Sequence, residues 1–197
     1  SYLDVVRFLG YSGNKINFGW NFSDEELMYV DEFLKEHGII KGDRYIVMAI
    51  GTTWDTKNYP VVHWAKIVNY LYEKDICVVI IGGMNESKDR YVNLVGLTDL
   101  RQMAIVISRS TVVVSGDSGP MHMAYSLGRF VIALMGPTDP VQFGPYGNKN
   151  KIIRVNHECR GCQLTVCPFG RDCLFDINPC DVIKELQIIL ESGGIRV

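Results

Sequence analysis

Hydrophobic and polar positions along the chain fall into two recurring patterns. From Tyr45 onward, short unbroken apolar runs rich in β-branched residues recur at Tyr45 to Ile50, Ile76 to Ile81, Thr111 to Val114 and Phe130 to Met135. A run that is apolar at every position suits a strand covered on both faces, as in a parallel sheet. Between these runs the apolar residues return at helical spacing. Val61, Trp64, Ala65, Val68, Leu71 and Tyr72 form one stripe behind Pro60, a residue suited to a helix start. Leu100, Met103, Ala104 and Ile107 form a second behind Thr98 as its cap, and a third helix starts near Ser118 and is stopped by Gly128.

Upstream, Ser23 and Glu26 have the spacing of a capping box, and Leu27, Val30, Phe33 and Leu34 repeat toward Gly38. This predicts an amphipathic helix that must pack on a partner. Residues 1–43 therefore read as an interdomain linker with a lead-in helix, and residues 44–197 as one domain. Its tail, 157–180, is cysteine-rich and irregular, and Asp181 to Leu190 reads as a closing helix. Alternation of strand and helix predicts an α/β fold, a doubly wound parallel sheet with right-handed crossovers.

Composition narrows the function. A chain of 197 residues, 47% hydrophobic and 21% charged, suits a single domain with one substantial core. With 20 basic and 22 acidic residues the net charge is −2, too weak a field to hold nucleic acid by counterion release. No stretch approaches the ~20 apolar residues of a membrane span, and the start carries no secretory pattern, so the expected compartment is the cytoplasm. A chain that begins Ser1-Tyr2-Leu3 without methionine reads as a piece of a longer protein.

The chemistry lies in the loops that leave the strands. Gly51-Thr52-Thr53-Trp54-Asp55-Thr56-Lys57 comes after the first run and Gly82-Gly83-Met84-Asn85-Glu86 after the second. Gly116-Asp117-Ser118-Gly119-Pro120-Met121-His122 comes after the third, and Gly136-Pro137-Thr138-Asp139-Pro140 after the fourth. In a parallel sheet all four loops emerge on one edge, where open α/β sheets bind ligands. Glycines permit close backbone approach, and a helix that starts at Ser118-Gly119 favours an anion such as phosphate. Lys57 and the hydroxyls of Thr52 and Thr53 could complete a diphosphate cradle. Taken singly, each feature also has a plain reading as turn, surface charge or packing histidine; their convergence on one edge favours a site.

Two segments, Thr52-Thr53-x-x-x-Lys57-x-x-Pro60-x-x-x-Trp64 and Asp117-Ser118-Gly119-Pro120-x-His122 with Ala124, Leu127-Gly128 and Gly136-Pro137-Thr138, resemble glycosyltransferase family 9, the ADP-heptose:lipopolysaccharide heptosyltransferases. The resemblance spans roughly Tyr45 to Val155. It implies the Rossmann-like, C-terminal, donor-binding half of a GT-B glycosyltransferase. In it, Thr52, Thr53 and Lys57 would meet the diphosphate, Glu86 the ribose and the segment around Leu97 the adenine. Asp117, Ser118, Gly119 and His122 would surround the phosphate and the donor sugar. Ser118 stands where the family often has threonine, which keeps the hydroxyl.

The implied reaction is inverting transfer of heptose from an ADP-sugar donor to the lipopolysaccharide core, with no cofactor and no obligatory metal. The general base and the acceptor site would belong to an N-terminal domain beyond this chain, so no catalytic residue is assigned here and the chain alone is expected to be inactive. The enzyme would work in the cytoplasm at the inner face of the inner membrane, with at most peripheral membrane contact. A non-catalytic nucleotide or nucleotide-sugar binding module is the alternative. A nicotinamide dehydrogenase would need G-x-G-x-x-G after the first strand, and Gly51-Thr52-Thr53-Trp54 lacks it.

Six cysteines complete the reading. Cys77, inside a strand run, is expected as a small buried hydrophobe. Cys159, Cys162, Cys167, Cys173 and Cys180 cluster in the tail, where Cys159-x-x-Cys162 beside His157 invites a zinc reading. The spacing matches no standard finger, and disulfides are disfavoured in a cytoplasmic protein; no metal ligands are assigned.

Overall fold

The computed structural model describes residues 5, 7–10, 12–13, 17–82, 91–147, 149–170 and 173–192. Six parallel strands form its centre: β1 (Tyr45–Ile50), β2 (Cys77–Gly82), β3 (Val92–Asn93), β4 (Val112–Gly116), β5 (Phe130–Met135) and β6 (Asn150–Arg154), in spatial order β3-β2-β1-β4-β5-β6. Around them pack the α-helices α1 (Asp24–Glu36), α2 (Val61–Tyr72), α3 (Leu100–Arg109), α4 (Gly119–Ser126), α5 (Pro140–Phe143) and α6 (Pro179–Glu191). The fold is the doubly wound, Rossmann-like α/β sheet that the alternation of patterns predicts.

Both faces of the strands are apolar because both are covered. Ile46, Met48, Val112, Val114, Ile132 and Leu134 face one core, which α2 and α6 close with Ile67, Leu71, Val182 and Leu186. The intervening Val47, Ala49, Val113, Val131 and Ala133 face the other, closed by α1, α3 and α4 through Val30, Leu34, Ile105 and Met121. Burying each such aliphatic side chain is worth roughly 1.5–3 kcal/mol, and that is what selects sheet register here.

The helix boundaries obey local chemistry. Ser23 caps α1 in a full capping box with Glu26. At α3 the cap is Asp99, not Thr98: its carboxylate accepts from the Gln102 amide while the Gln102 side chain returns the bond. The carboxylate accepts this bond with a full charge at the positive end of the helix, and a residue of the right type three positions on completes the box. The closing helix begins two residues earlier than expected, with Asn178 as cap and Pro179 in the first turn.

The segment ahead of β1 packs tightly on the sheet's helices. Val30 and Leu34 are fully buried, Arg101 of α3 binds Glu26 and the Asn21 carbonyl, and Arg109 pairs with Asp31. Trp20 donates its indole N–H to the Ser126 hydroxyl on α4 at 2.7 Å.

Cys77 opens β2 and is only half-buried, which corrects the expectation of a core position. Burial pushes its thiol pKa up. No disulfide joins the described cysteines. Among the described residues no group of three His, Cys, Asp or Glu side chains is arranged to hold a metal ion, and none of their helices is long and apolar enough to cross a membrane.

Candidate functional site

Strand order reverses between β1 and β4, the topological switch point where loops leaving the two strands part to opposite faces and open a crevice. The loop after β1 contains a single 3-10 turn, Asp55–Lys57, and the loop after β4 runs straight into α4. Gly116 lets them touch: a Cβ there would lie 3.1 Å from the Lys57 carbonyl oxygen. At the end of β2, Gly82 has φ +108°, and a Cβ would sit 2.0 Å from the Ile50 carbonyl oxygen, so only glycine leaves the strand at this height.

The centre of the crevice is an ion pair. Lys57 Nζ lies 2.7 Å from Asp117 Oδ2, with side-chain exposures of 15% and 7%. The same ammonium stands 3.9 Å above the Trp54 ring centroid, a cation–π contact. His122, one turn into α4, brings Nε2 to 3.6 Å from Asp117 Oδ1 and meets Tyr125 edge-on. Burial pushes the Asp117 carboxyl up, but the contacts from His122 and Lys57 outweigh it, and its pKa falls to about 2.

Thr138, from the loop after β5, is also on this carboxylate. Its hydroxyl is buried and helps to lower the Asp117 pKa, though without a hydrogen bond of regular geometry. Thr138 is legible in the sequence only as part of the Gly136-Pro137-Thr138 segment; nothing there marks its hydroxyl as facing Asp117.

The remaining expected residues divide. Ser118 is the cap position of α4, yet its hydroxyl makes no capping bond and instead meets Ser115 Oγ at 2.9 Å. Pro120 has no N–H and the Met121 amide bonds the Ser118 carbonyl, while Gly119, the first residue of the helix, is exposed and its amide has no acceptor within the helix. Thr53 is exposed in the β1 loop. Thr52 turns inward: its hydroxyl donates to the Trp54 carbonyl at 2.8 Å, and its amide donates to Asn58 Oδ1 at 2.7 Å. Leu97 is 54% exposed in the turn after β3, on the same sheet edge but beyond β2. Glu86 lies outside the described residues.

The arrangement thus brings Lys57 and His122 onto the Asp117 carboxylate, just ahead of the start of α4. It can receive an anion: the lysine ammonium is fixed at its mouth, and the helix tip contributes partial positive charge.

Fold and crevice together define a doubly wound α/β protein with a charged crevice at the carboxyl edge of its parallel sheet. More narrowly, the family model of glycosyltransferase family 9 (heptosyltransferase) matches residues 6–171, and the chain belongs to that family. It is 22% identical over 207 aligned positions to lipooligosaccharide heptosyltransferase 2 of Campylobacter jejuni, covering 97% of this chain and 65% of that protein. Among solved structures it resembles the family 9 glycosyl transferase of Veillonella parvula, with TM-score 0.82, 25% identity and coverage of 97% of this chain and 59% of the other. It also shares its fold with the Escherichia coli heptosyltransferase WaaC bound to ADP-2-deoxy-2-fluoro heptose, with TM-score 0.63, 23% identity, and coverage of 95% and 53%. The chain spans less than two thirds of the length of these relatives.

Proposed function

We propose that this chain is the C-terminal, donor-binding part of an inverting glycosyltransferase that moves heptose from ADP-heptose to the lipopolysaccharide core. The acceptor site and the general base belong to an N-terminal domain outside this chain, and the chain alone transfers no sugar. Three things support this reading: membership of family 9, the fold shared with a structure holding an ADP-heptose analogue, and the charged crevice at the switch point.

The observation that carries it is Lys57, fixed 2.7 Å from Asp117 beside the start of α4. As the glycosidic bond to the diphosphate breaks, negative charge builds on the departing oxygen. A preplaced ammonium and a helix-tip amide stabilise that charge without reorganising, which is where such sites gain most. Asp117 does not serve as the base. A carboxyl with its pKa lowered to about 2 and its oxygens engaged by Lys57 and His122 has little affinity for a proton at neutral pH, whereas an effective base titrates near the working pH. Its role is to hold the lysine and the histidine. On this reading the protein works in the cytoplasm, at the inner face of the inner membrane.

Titration calorimetry with ADP, ADP-sugar, UDP and NAD tests the proposal. ADP and ADP-sugar should bind at least tenfold more tightly than the other two. Equal affinity for all four, or none for any, overturns it.

A further inference from the structure

The cysteine-rich tail is irregular in sequence, yet it is fastened to the crevice at several points. After β6 the chain returns along the carboxyl edge of the sheet. There the Gly161 amide bonds the Gly136 carbonyl at 3.0 Å, and the Gln163 amide bonds the Pro137 carbonyl at 2.7 Å. A Cβ at Gly136 would come within 2.8 Å of Cys173 Sγ and 2.9 Å of Leu174 Cδ2, so a side chain there would push on the tail. The tail then reaches across to the β1 loop and takes hold of Thr56 from two sides. The Thr56 hydroxyl donates to the Leu164 carbonyl at 2.8 Å, and the Cys173 thiol donates to the Thr56 carbonyl at 3.7 Å.

Thr56 is buried, and it is the residue before Lys57 in the same 3-10 turn. The Lys57 backbone is thereby held between Gly116 on one side and the tail on the other, while Asp117 and Trp54 hold its ammonium. A turn of three residues has too few hydrogen bonds of its own to fix a side chain. The two tail contacts supply what it lacks.

We propose that Thr56 is a positioning residue for Lys57, and that the tail segment carrying Leu164 and Cys173 is a structural part of the anion site. The inference rests on the reading of Lys57 as a diphosphate ligand, and a cycle of variants separates the two. The measurement is ADP affinity of Thr56→Val, Thr56→Ser, Lys57→Ala and the Thr56→Val/Lys57→Ala double variant, each checked for folding by circular dichroism.

Thr56→Val, which keeps the shape and removes the donor, should weaken ADP binding about two- to tenfold, the range a single lost hydrogen bond of this kind spans. Thr56→Ser should restore it. In the Lys57→Ala background the valine should add nothing, because the group through which it acts is gone. If Lys57→Ala weakens ADP binding but Thr56→Val does not, or if valine costs as much without Lys57 as with it, the positioning role fails while the site stands. If Lys57→Ala leaves affinity unchanged, the site reading itself fails. Should Thr56→Val not fold, Cys173→Ala reaches the same turn from the other side and is expected to weaken ADP binding by a similar factor; unchanged affinity there overturns the role.

Discussion

Two carboxylates in this protein are pulled to nearly the same pKa by unlike surroundings. Glu26, on α1, has its pKa lowered to about 2, first by its hydrogen bond from Arg101 and then by the Ser23 amide. Asp117, after β4, reaches about 2 against the opposing effect of burial, through His122 and Lys57. The Glu26–Arg101 pair stands in solvent between two helices, with side-chain exposures of 31% and 52%, whereas Lys57 and Asp117 are 15% and 7% exposed. In water and salt the first interaction is screened and competes with hydration. The second has already lost its water, so either partner left alone is a desolvated charge. The same pKa therefore marks a surface clasp in one place and a desolvated pair in the other.

The largest expected effect is at the buried pair. Asp117→Ala leaves Lys57 with the Trp54 ring and no counter-charge, and should destabilise the fold by about 2–4 kcal/mol in urea denaturation. If stranded charge is the cause, removing Lys57 as well recovers part of the loss. A double variant as unstable as the single one would instead assign the cost to packing, and the contrast with Glu26 would lose its basis.

Acid sharpens the same contrast. Both carboxyls are lowered in the fold, so each stabilises it above its ordinary value and loses that contribution as pH falls toward the folded value. For Asp117 the window runs from about pH 4 down to about 2. The stability difference between the parent and Asp117→Asn should be flat above pH 4 and shrink below it. A difference that persists unchanged to pH 2 would mean that the charge on Asp117 is not what the asparagine removes.

How much of this is legible in the sequence depends on the distance along the chain over which each feature is decided. The four buried strands announce themselves because every position meets a core on one face or the other. β6 does not, since its run Asn150-Lys151-Ile152-Ile153-Arg154 lies at the sheet edge with two residues partly buried among polar ones, and β3 is only two residues long. The Ser23 capping box is local and readable; Asp99 in place of Thr98 turns on which side chain reaches the Gln102 amide. In the site, strand order gathers Lys57 and Asp117 on one edge, but their mutual contact joins residues on separate loops. Thr52 reads as a free hydroxyl, and Asn58, six residues on, is what turns the loop inward. Thr56 and Leu164 lie 108 residues apart, and no local pattern ties them.

The smallest expected effect belongs to the surface clasp. Glu26→Gln keeps a group able to return the capping-box bond to the Ser23 amide and removes only the charge that Arg101 binds. Its urea midpoint should fall slightly below the parent's at low salt and rejoin it near 0.5 M salt, where the Debye length shrinks to roughly 4 Å. Asp117→Asn should keep most of its deficit at the same salt, because ions do not reach a pair whose carboxylate is 7% exposed. If both deficits vanished together, the Lys57–Asp117 pair would be as open to solvent as the one on α1, and the crevice would have no desolvated lysine to offer a diphosphate.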